Sequence, residues 1–222
     1  MVKRLFDMIA SLMALVALSP VFLIAAVGIR LLSRGPILFP AERIGRNGQP
    51  FIMHKFRTMR IASGTAGSAI TSRADSRVFP FGLFLRRLKI DELPQLYDVL
   101  RGAMSLVGPR PEDPKIVCEH YTPEQRETLA VRPGLASPGS IYNYTHGEKL
   151  IGPSDPERDY VEKLLPLKLA LDLVYVREAS FCYDLRVIFR SIGVIVLIAM
   201  GKREFCDPPE MAKLRSQVGV RP

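Results

Sequence analysis

The chain has 222 residues, enough for one catalytic core with an attached element but tight for two full domains. Lys and Arg (31) outnumber Asp and Glu (22) for a formal charge of +9, yet the mean hydropathy is positive, a pairing that points to a membrane and an anionic ligand. The lack of Trp, of zinc-ligand spacing and of basic runs interleaved with aromatics argues against nucleic acid as a partner. Cys118, Cys182 and Cys206 include no CxxC, which argues against a disulfide framework or structural zinc and fits a reducing cytosolic face.

From Met8 to Ile29 no residue is charged, with Lys3 and Arg4 before the stretch and Arg30 and Arg34 after it. Three readings compete. A cleaved signal peptide is disfavoured because Ala25-Ala26-Val27-Gly28 runs on into further apolar sequence. A spanning helix has the length, since about 20 residues cover the ~30 Å hydrocarbon core. Ser19-Pro20, however, falls near the middle, where proline removes a hydrogen bond and leaves two arms of roughly 18 Å each. Basic residues on both flanks favour a re-entrant hairpin with both ends inside, Ser19 satisfying carbonyls that Pro20 leaves free. A kinked spanning helix remains the alternative.

Residues 36–40 read as a strand, 42–48 as a tight turn and 50–59 as the returning strand. Alternation in the second strand puts Lys55 and Arg57 on one face, as ligand contacts or as a solvated face. Residues 61–76, rich in Ala, Gly, Ser and Thr, read as a loop that could act as a lid. Helices follow from Gly82 and over 93–100, the second closed by Gly102.

Asp91 stands where that second helix starts, so the helix dipole is expected to keep its carboxylate ionised. It is a candidate nucleophile or metal ligand, and plain N-capping is the alternative. Glu92 is adjacent, and Arg86, Arg87 and Lys89 lie close by. Neighbouring positions diverge on a helix, so one carboxylate can attack while the other binds metal. Pro109 and Pro111 bracket Arg110 in a stiff turn suited to bidentate phosphate binding. Arg132 precedes a second Pro-Gly turn in the same style. Residues 185–200 are apolar but carry Arg186 and Arg190, reading as an interfacial helix or a buried core helix. From Cys206 onward no core pattern is visible. The expected layout is α+β and mostly helical: 1–34 membrane segment, 35–184 cytosolic catalytic domain, 185–222 interfacial helix and tail.

Several of these segments together resemble a known family: Lys3-Arg4 before a Ser-Pro break, Lys55-Phe56-Arg57-Thr58-Met59, Asp91-Glu92-Leu93-Pro94-Gln95-Leu96, Met104 to Pro111, and Arg132-Pro133-Gly134. In that order and spacing the chain resembles the bacterial sugar transferases, monotopic phosphoglycosyl transferases that begin polyprenol-linked glycan assembly. The resemblance implies a re-entrant helix broken at Ser19 and Pro20 and a catalytic domain on the cytosolic face of the bacterial inner membrane. It implies a nucleotide-sugar donor, with a UDP-sugar expected, and polyprenol (undecaprenyl) phosphate as acceptor. Asp91 would attack the sugar-proximal phosphate to give a covalent aspartyl-phosphosugar, and the acceptor would then discharge it.

The same resemblance implies Mg²⁺, with Asp91 and Glu92 as its protein partners, and Lys55, Arg57, Arg86, Arg110 and Arg132 as substrate-binding residues. Where the family commonly carries a Thr-Gly-Trp-Ala-Gln-like pattern, this chain reads Leu135 to Tyr144 differently. Donor selectivity is expected there, with Tyr142 and His146 as contacts. A non-catalytic basic membrane adaptor and a hydrolase using water at the same site are the competing functions. The sequence leaves the sugar, the glycan pathway and the oligomeric state open.

Overall fold

A computed structural model describes residues 2–60, 77–152 and 154–217; the expected loop and lid at 61–76 lie outside them. The chain opens with α1 (Val2–Ala17) and α2 (Ser19–Leu32), bent by 60° at the break. Pro20 has no N–H for the carbonyl of Val16, and Ser19 Oγ donates to that oxygen instead at 2.8 Å. The bend is therefore built by the Ser-Pro pair itself.

α1 is inverted relative to a helix on a water-soluble core, where the apolar stripe faces inward. On α1 the buried residues are Asp7 and Ser11, while Leu5, Met8, Ile9, Leu12, Met13 and Val16 are exposed. On α2, Ala25 and Ile29 pack inward against Phe56, Phe79 and Leu85, and Leu23, Ile24, Val27 and Leu31 face out. No single described helix is long and apolar enough to cross a membrane; the bent pair together has the length and composition of a broken span or re-entrant loop.

Polar bonds fix α1 to the rest of the molecule. Lys3 pairs with Asp184 at 2.5 Å and also donates to the Val107 carbonyl. Arg4 donates to the carbonyls of Val99 and Leu100 at 2.6 and 2.9 Å. Asp7 accepts from Ser105 Oγ at 2.8 Å.

Strands β1 (Leu38–Ile44) and β2 (Pro50–Phe56) form an antiparallel hairpin with Leu38 opposite Phe56 and Ile44 opposite Pro50. The first strand thus runs beyond the expected 36–40. Glu42 and Arg43, taken for turn residues, pair with Ile52 and Phe51, and the reversal comes at Gly45–Gln49. There Asn47 and Gly48 take positive φ of 59° and 74°, which both residue types tolerate.

After α3 (Pro80–Arg87) comes a single 3-10 turn at Ile90–Glu92 and then α4 (Gln95–Arg101), ended by Gly102 at φ 92° as its position suggests. β3 (Ser105–Val107) pairs in parallel with β4 (Gly134–Ala136), with α5 (Pro114–His120) between them. Then come α6 (Pro138–Leu150), α7 (Pro156–Asp159) with a π turn over Tyr160–Leu164, and α8 (Leu165–Glu178). Three of these helices start on an Asp or Ser followed by Pro: Asp113 caps α5, Ser137 caps α6 and Asp155 caps α7. The largest core cluster, including Ile116, Leu164, Leu169 and Leu171, joins α5 to α8.

α9 (Phe181–Ala199) takes in the 185–200 segment and is buried in part. Its first half lies on the core through Val187, whereas Phe189, Ile192, Val196 and, just beyond the helix, Met200 are exposed. The expected boundary at 184/185 falls inside it. α10 (Pro209–Gln217) corrects the view that nothing after Cys206 reaches the core. Met211 is buried in the main cluster, and Glu210 accepts from Arg190 at 2.6 and 3.1 Å and from the Tyr183 hydroxyl at 2.8 Å.

Candidate active site

α3 ends in a left-handed residue, Lys89 (φ 57°, ψ 19°), a conformation costing a non-glycine residue roughly 1–2 kcal/mol. It turns the chain into the 3-10 turn that carries Asp91 and Glu92, both almost wholly buried. Asp91 is therefore not at the start of an α-helix, and its side chain caps neither the turn nor α4. The capping reading fails.

The two carboxylates have opposite surroundings. Glu92 is gripped by the Arg110 fork, Nη1 to Oε2 at 2.9 Å and Nη2 to Oε1 at 2.5 Å. The Tyr144 hydroxyl donates to Glu92 Oε2 at 3.3 Å and accepts from Arg110 Nη1 at the same distance. Lys55 Nζ stands 4.0 Å from Glu92 Oε1. By contrast, Asp91 Oδ1 is buried with no hydrogen-bond partner.

Charge follows from that geometry. Burial alone would push Glu92 up, but Arg110, Lys55 and Lys89 outweigh it and hold the carboxyl well below its usual range. Burial pushes Asp91 the other way, upward, with the Glu92 charge adding to it and Lys55, Lys89 and Arg86 opposing. The helix dipole expected to favour the Asp91 carboxylate is missing: a three-residue turn offers little dipole, and desolvation dominates the shift. Burial, helped by Arg110, brings the Lys55 ammonium down to about 8, and Lys89 is lowered by burial too. Lys89 Nζ sits 3.8 Å from the Tyr144 ring centroid, a cation–π contact.

Arg110 is presented by a loop locked to β4. Gly134 N donates to the Pro109 carbonyl at 2.9 Å and Gly108 N to the Ala136 carbonyl at 3.0 Å. A Cβ on Gly134 would lie 2.0 Å from Gly108 N, so this close approach requires glycine.

Of the expected substrate-binding residues, the structure gathers Lys55, Arg86 and Arg110 around the acidic pair. Arg86 is held by the Thr58 hydroxyl at 2.8 Å and acts on the Asp91 charge. Arg57 is elsewhere: its guanidinium donates to Pro36 O, Ser33 O and Ser33 Oγ, tying the end of β2 to the end of α2. β2 stops at Phe56, so the alternation that paired Arg57 with Lys55 lapses. Arg132 is also elsewhere; its Nε donates to Gly102 O at 3.0 Å beyond the end of α4, and it lines a separate cavity with Lys3 and Arg4.

Tyr142 and His146, expected as selectivity contacts, stack on each other at 4.7 Å. His146 is further engaged by Thr145 and Asp207. Lys89 enters the motif reading only as a neighbour of the acidic pair, and Tyr144 has no role of its own in it. Ser137-Pro138 was the available signal, since it announces α6, the helix that delivers Tyr144.

A magnesium ion finds only part of its expected ligand set. Both Glu92 oxygens are committed to Arg110, and among the described residues no group of three or more His, Cys, Asp or Glu is arranged to hold a metal. That leaves the Asp91 carboxylate, whose Oδ1 is buried without a partner, as the member of the pair not committed to a guanidinium. That fits Mg²⁺ held chiefly by substrate phosphates rather than by a protein cage. Gln95, four residues on, is also fully buried with both amide atoms unpartnered.

A family model described as bacterial sugar transferase matches residues 1–197. The chain is 40% identical over 200 residues to undecaprenyl-phosphate glucose phosphotransferase of Komagataeibacter xylinus, covering 86% of this chain and 35% of that protein. It is 37% identical over 197 residues to exopolysaccharide production protein PSS of Rhizobium leguminosarum bv. phaseoli, covering 86% of this chain and 92% of the relative. With UDP-glucose:undecaprenyl-phosphate glucose-1-phosphate transferase of Caulobacter vibrioides the identity is 35% over 193 residues, covering 86% and 68%. The chain thus spans about a third of the first relative and nearly all of the second.

Proposed function

The chain belongs to the bacterial sugar transferase family, and we propose that it moves a sugar-1-phosphate from a UDP-sugar to undecaprenyl phosphate, with Asp91 as nucleophile. The observation that carries this is the contrast within the dyad: Glu92 saturated by Arg110, Asp91 Oδ1 buried and unpartnered among Lys55, Lys89 and Arg86. The names of two relatives given above, which join undecaprenyl phosphate to glucose phosphate transfer, support the choice of donor and acceptor class.

In the first step an Asp91 oxygen attacks the sugar-side phosphorus of the donor. A P–O bond forms to the carboxylate, and the bond to the leaving UMP breaks with its electron pair. In the second step an oxygen of the polyprenol phosphate attacks the same phosphorus, and the acyl-phosphate bond breaks to restore the carboxylate. Splitting one transfer into two displacements is nucleophilic catalysis. A carboxylate whose pKa is raised by burial is a better nucleophile once deprotonated than an exposed one.

Arg110, fixed by Glu92, is the preorganised guanidinium beside the reacting phosphoryl group, and Lys55 and Lys89 add charge that needs no reorganisation. Mg²⁺, when bound with the donor, supplies further neutralisation of the diphosphate charge. Glu92 acts here as the positioning partner of Arg110 rather than as a metal ligand.

The membrane half of the proposal is a re-entrant α1–α2 hairpin with the catalytic residues on the cytosolic side of the inner membrane. The inverted burial of α1, the apolar outer faces of both helices and the Ser19-supported bend support it. An acceptor phosphate anchored in lipid then meets Asp91 at the bilayer surface.

The test is to mix purified protein with each of several UDP-sugars and Mg²⁺, without acceptor, and to map any adduct by mass spectrometry. A phosphosugar on the peptide containing Asp91, discharged by undecaprenyl phosphate, is expected. UMP release and lipid product without any such adduct, or with full turnover by Asp91→Asn, refutes the covalent route.

A further inference from the structure

Away from the dyad, a cavity of about 430 Å³ opens where the first turn of α1, the loop before β4 and the start of α9 meet. That is within the ~300–1,000 Å³ range of ligand clefts. Four cations line it, Lys3, Arg4, Arg46 and Arg132, against two carboxylates, Asp7 and Asp184.

The carboxylates are spent. Asp184 takes Lys3 and the Tyr175 hydroxyl, each at 2.5 Å, and Asp7 takes Ser105 Oγ and Leu106 N. Lys3 and Arg4 are spent in turn on Asp184, the Val107 carbonyl and the carbonyls at the end of α4. Arg46 and Arg132 are not. Each commits only Nε, to Ala130 O at 3.2 Å and to Gly102 O at 3.0 Å. Among the described residues their terminal nitrogens make no hydrogen bond. Two guanidinium forks with unspent N–H groups in one cleft are suited to phosphate oxygens. The N-terminus of the long helix α9, at Ser180 and Phe181, opens on the same cavity and adds its positive dipole end.

Height above the bilayer identifies the phosphate's source. The cavity is level with the first turn of α1, whose outward residues Val2 and Leu5 are already apolar and exposed. On the re-entrant reading, on which this inference rests, that turn lies among lipid headgroups. We infer that this cavity binds the phosphodiester headgroup of one anionic phospholipid, at a site separate from Asp91, through Arg46 and Arg132.

The test uses the full chain in nanodiscs of mixed phosphatidylglycerol and phosphatidylcholine, with bound lipid counted by native mass spectrometry and flotation on pure phosphatidylcholine vesicles run alongside. One phosphatidylglycerol retained per chain, enriched at least fivefold over phosphatidylcholine, is expected. Arg46→Gln with Arg132→Gln should abolish the enrichment and leave flotation intact. Val131→Glu, which places a carboxylate in the same cavity with both arginines kept, should do the same and guards against misfolding of the double variant.

Enrichment unchanged in both variants overturns the inference, since surface charge in general would then explain it. Displacement of the lipid by millimolar inorganic phosphate, or stoichiometric retention of polyprenyl phosphate in its place, overturns the phospholipid assignment. Failure of the unsubstituted protein to float on phosphatidylcholine instead removes the re-entrant premise.

Discussion

Arg110 holds Glu92 through both of its terminal nitrogens, at 2.9 and 2.5 Å, and this leaves Asp91 as the acid of the pair with a buried oxygen and no partner. Two adjacent carboxylates of nearly equal burial are thereby made chemically unlike. One is a permanent anion that fixes a guanidinium. The other is uncommitted.

That asymmetry separates stability from turnover. Asp91→Asn removes a buried charge that no hydrogen bond compensates, so the variant is expected to match or exceed the parent in stability, by about 1 kcal/mol, while losing transfer by ~10⁴-fold or more. Thermal unfolding alongside UMP release checks both halves. A destabilised Asp91→Asn would mean that the carboxylate has a structural partner.

Glu92→Gln is expected to show the reverse emphasis. It leaves the buried Arg110 without its counter-charge and should destabilise by about 3–5 kcal/mol, with a fall in activity. Arg110→Lys loses the two-pronged geometry and should cost transfer more than donor binding. A double-mutant cycle between Glu92→Gln and Arg110→Gln measures the coupling, and near-additive effects would contradict the pairing.

The rate of adduct formation should depend on pH in two limbs. As the proposed nucleophile Asp91 would have to lose its proton, and its pKa is raised by burial and by Glu92, so the rate should climb at a pH above the ordinary carboxylate range. Burial brings Lys55 down to about 8, so loss of its charge should bring the rate down above that pH. Lys55→Arg, which stays protonated, should remove the alkaline limb; single-turnover rates from pH 5 to 10 decide it. The stability signs are opposite for the two acids. Raised Asp91 contributes most below its unfolded pKa, and that contribution is lost as pH rises through the folded value. Depressed Glu92 contributes above its unfolded pKa, and loses its share only as pH falls through the folded one.

The bend between α1 and α2 is expected to depend on two residues. Ser19→Ala strands the Val16 carbonyl and should destabilise the hairpin by about 1 kcal/mol. Ser19→Ala with Pro20→Ala permits one continuous helix over residues 2–32, at ~1.5 Å per residue long enough to cross a ~30 Å core. A cysteine at position 2 in a background lacking Cys118, Cys182 and Cys206 should react with an impermeant thiol reagent from the cytosolic face only, and lose that reactivity in the double variant. Labelling of the unsubstituted hairpin from the outer face refutes the re-entrant arrangement.

Local chemistry made parts of this molecule legible from sequence. The Ser19-Pro20 break, the Gly102 stop and the stiff turn around Arg110 each follow from residues within a few positions of one another. What escaped depends on partners far along the chain. Glu92 is disarmed by a residue eighteen positions away and Tyr144 reaches it across fifty-two, so adjacency alone could not say which acid stays free. Lys3 and Arg4 read as topology-setting charges, yet their bonds go to Asp184 and to the end of α4. Arg57 and Arg132 looked like ligand contacts from alternation and turn style, and both spend nitrogens on distant carbonyls. The short α10 showed no pattern because only Met211 and, in part, Leu214 place it on the core.

Arg4 grips the far end of α4, the short helix that begins three residues after Glu92. On the proposed re-entrant arrangement, α4 is a spacer between the membrane hairpin and the proposed nucleophile, and its seven residues would set how high Asp91 rides above the bilayer, at ~1.5 Å each. One residue added to it would both lift the carboxylate by that increment and swing it by roughly 100°. If that arrangement holds, reach toward a lipid-tethered acceptor depends on the length of a single helix, and lengthening α4 should uncouple donor consumption from lipid product.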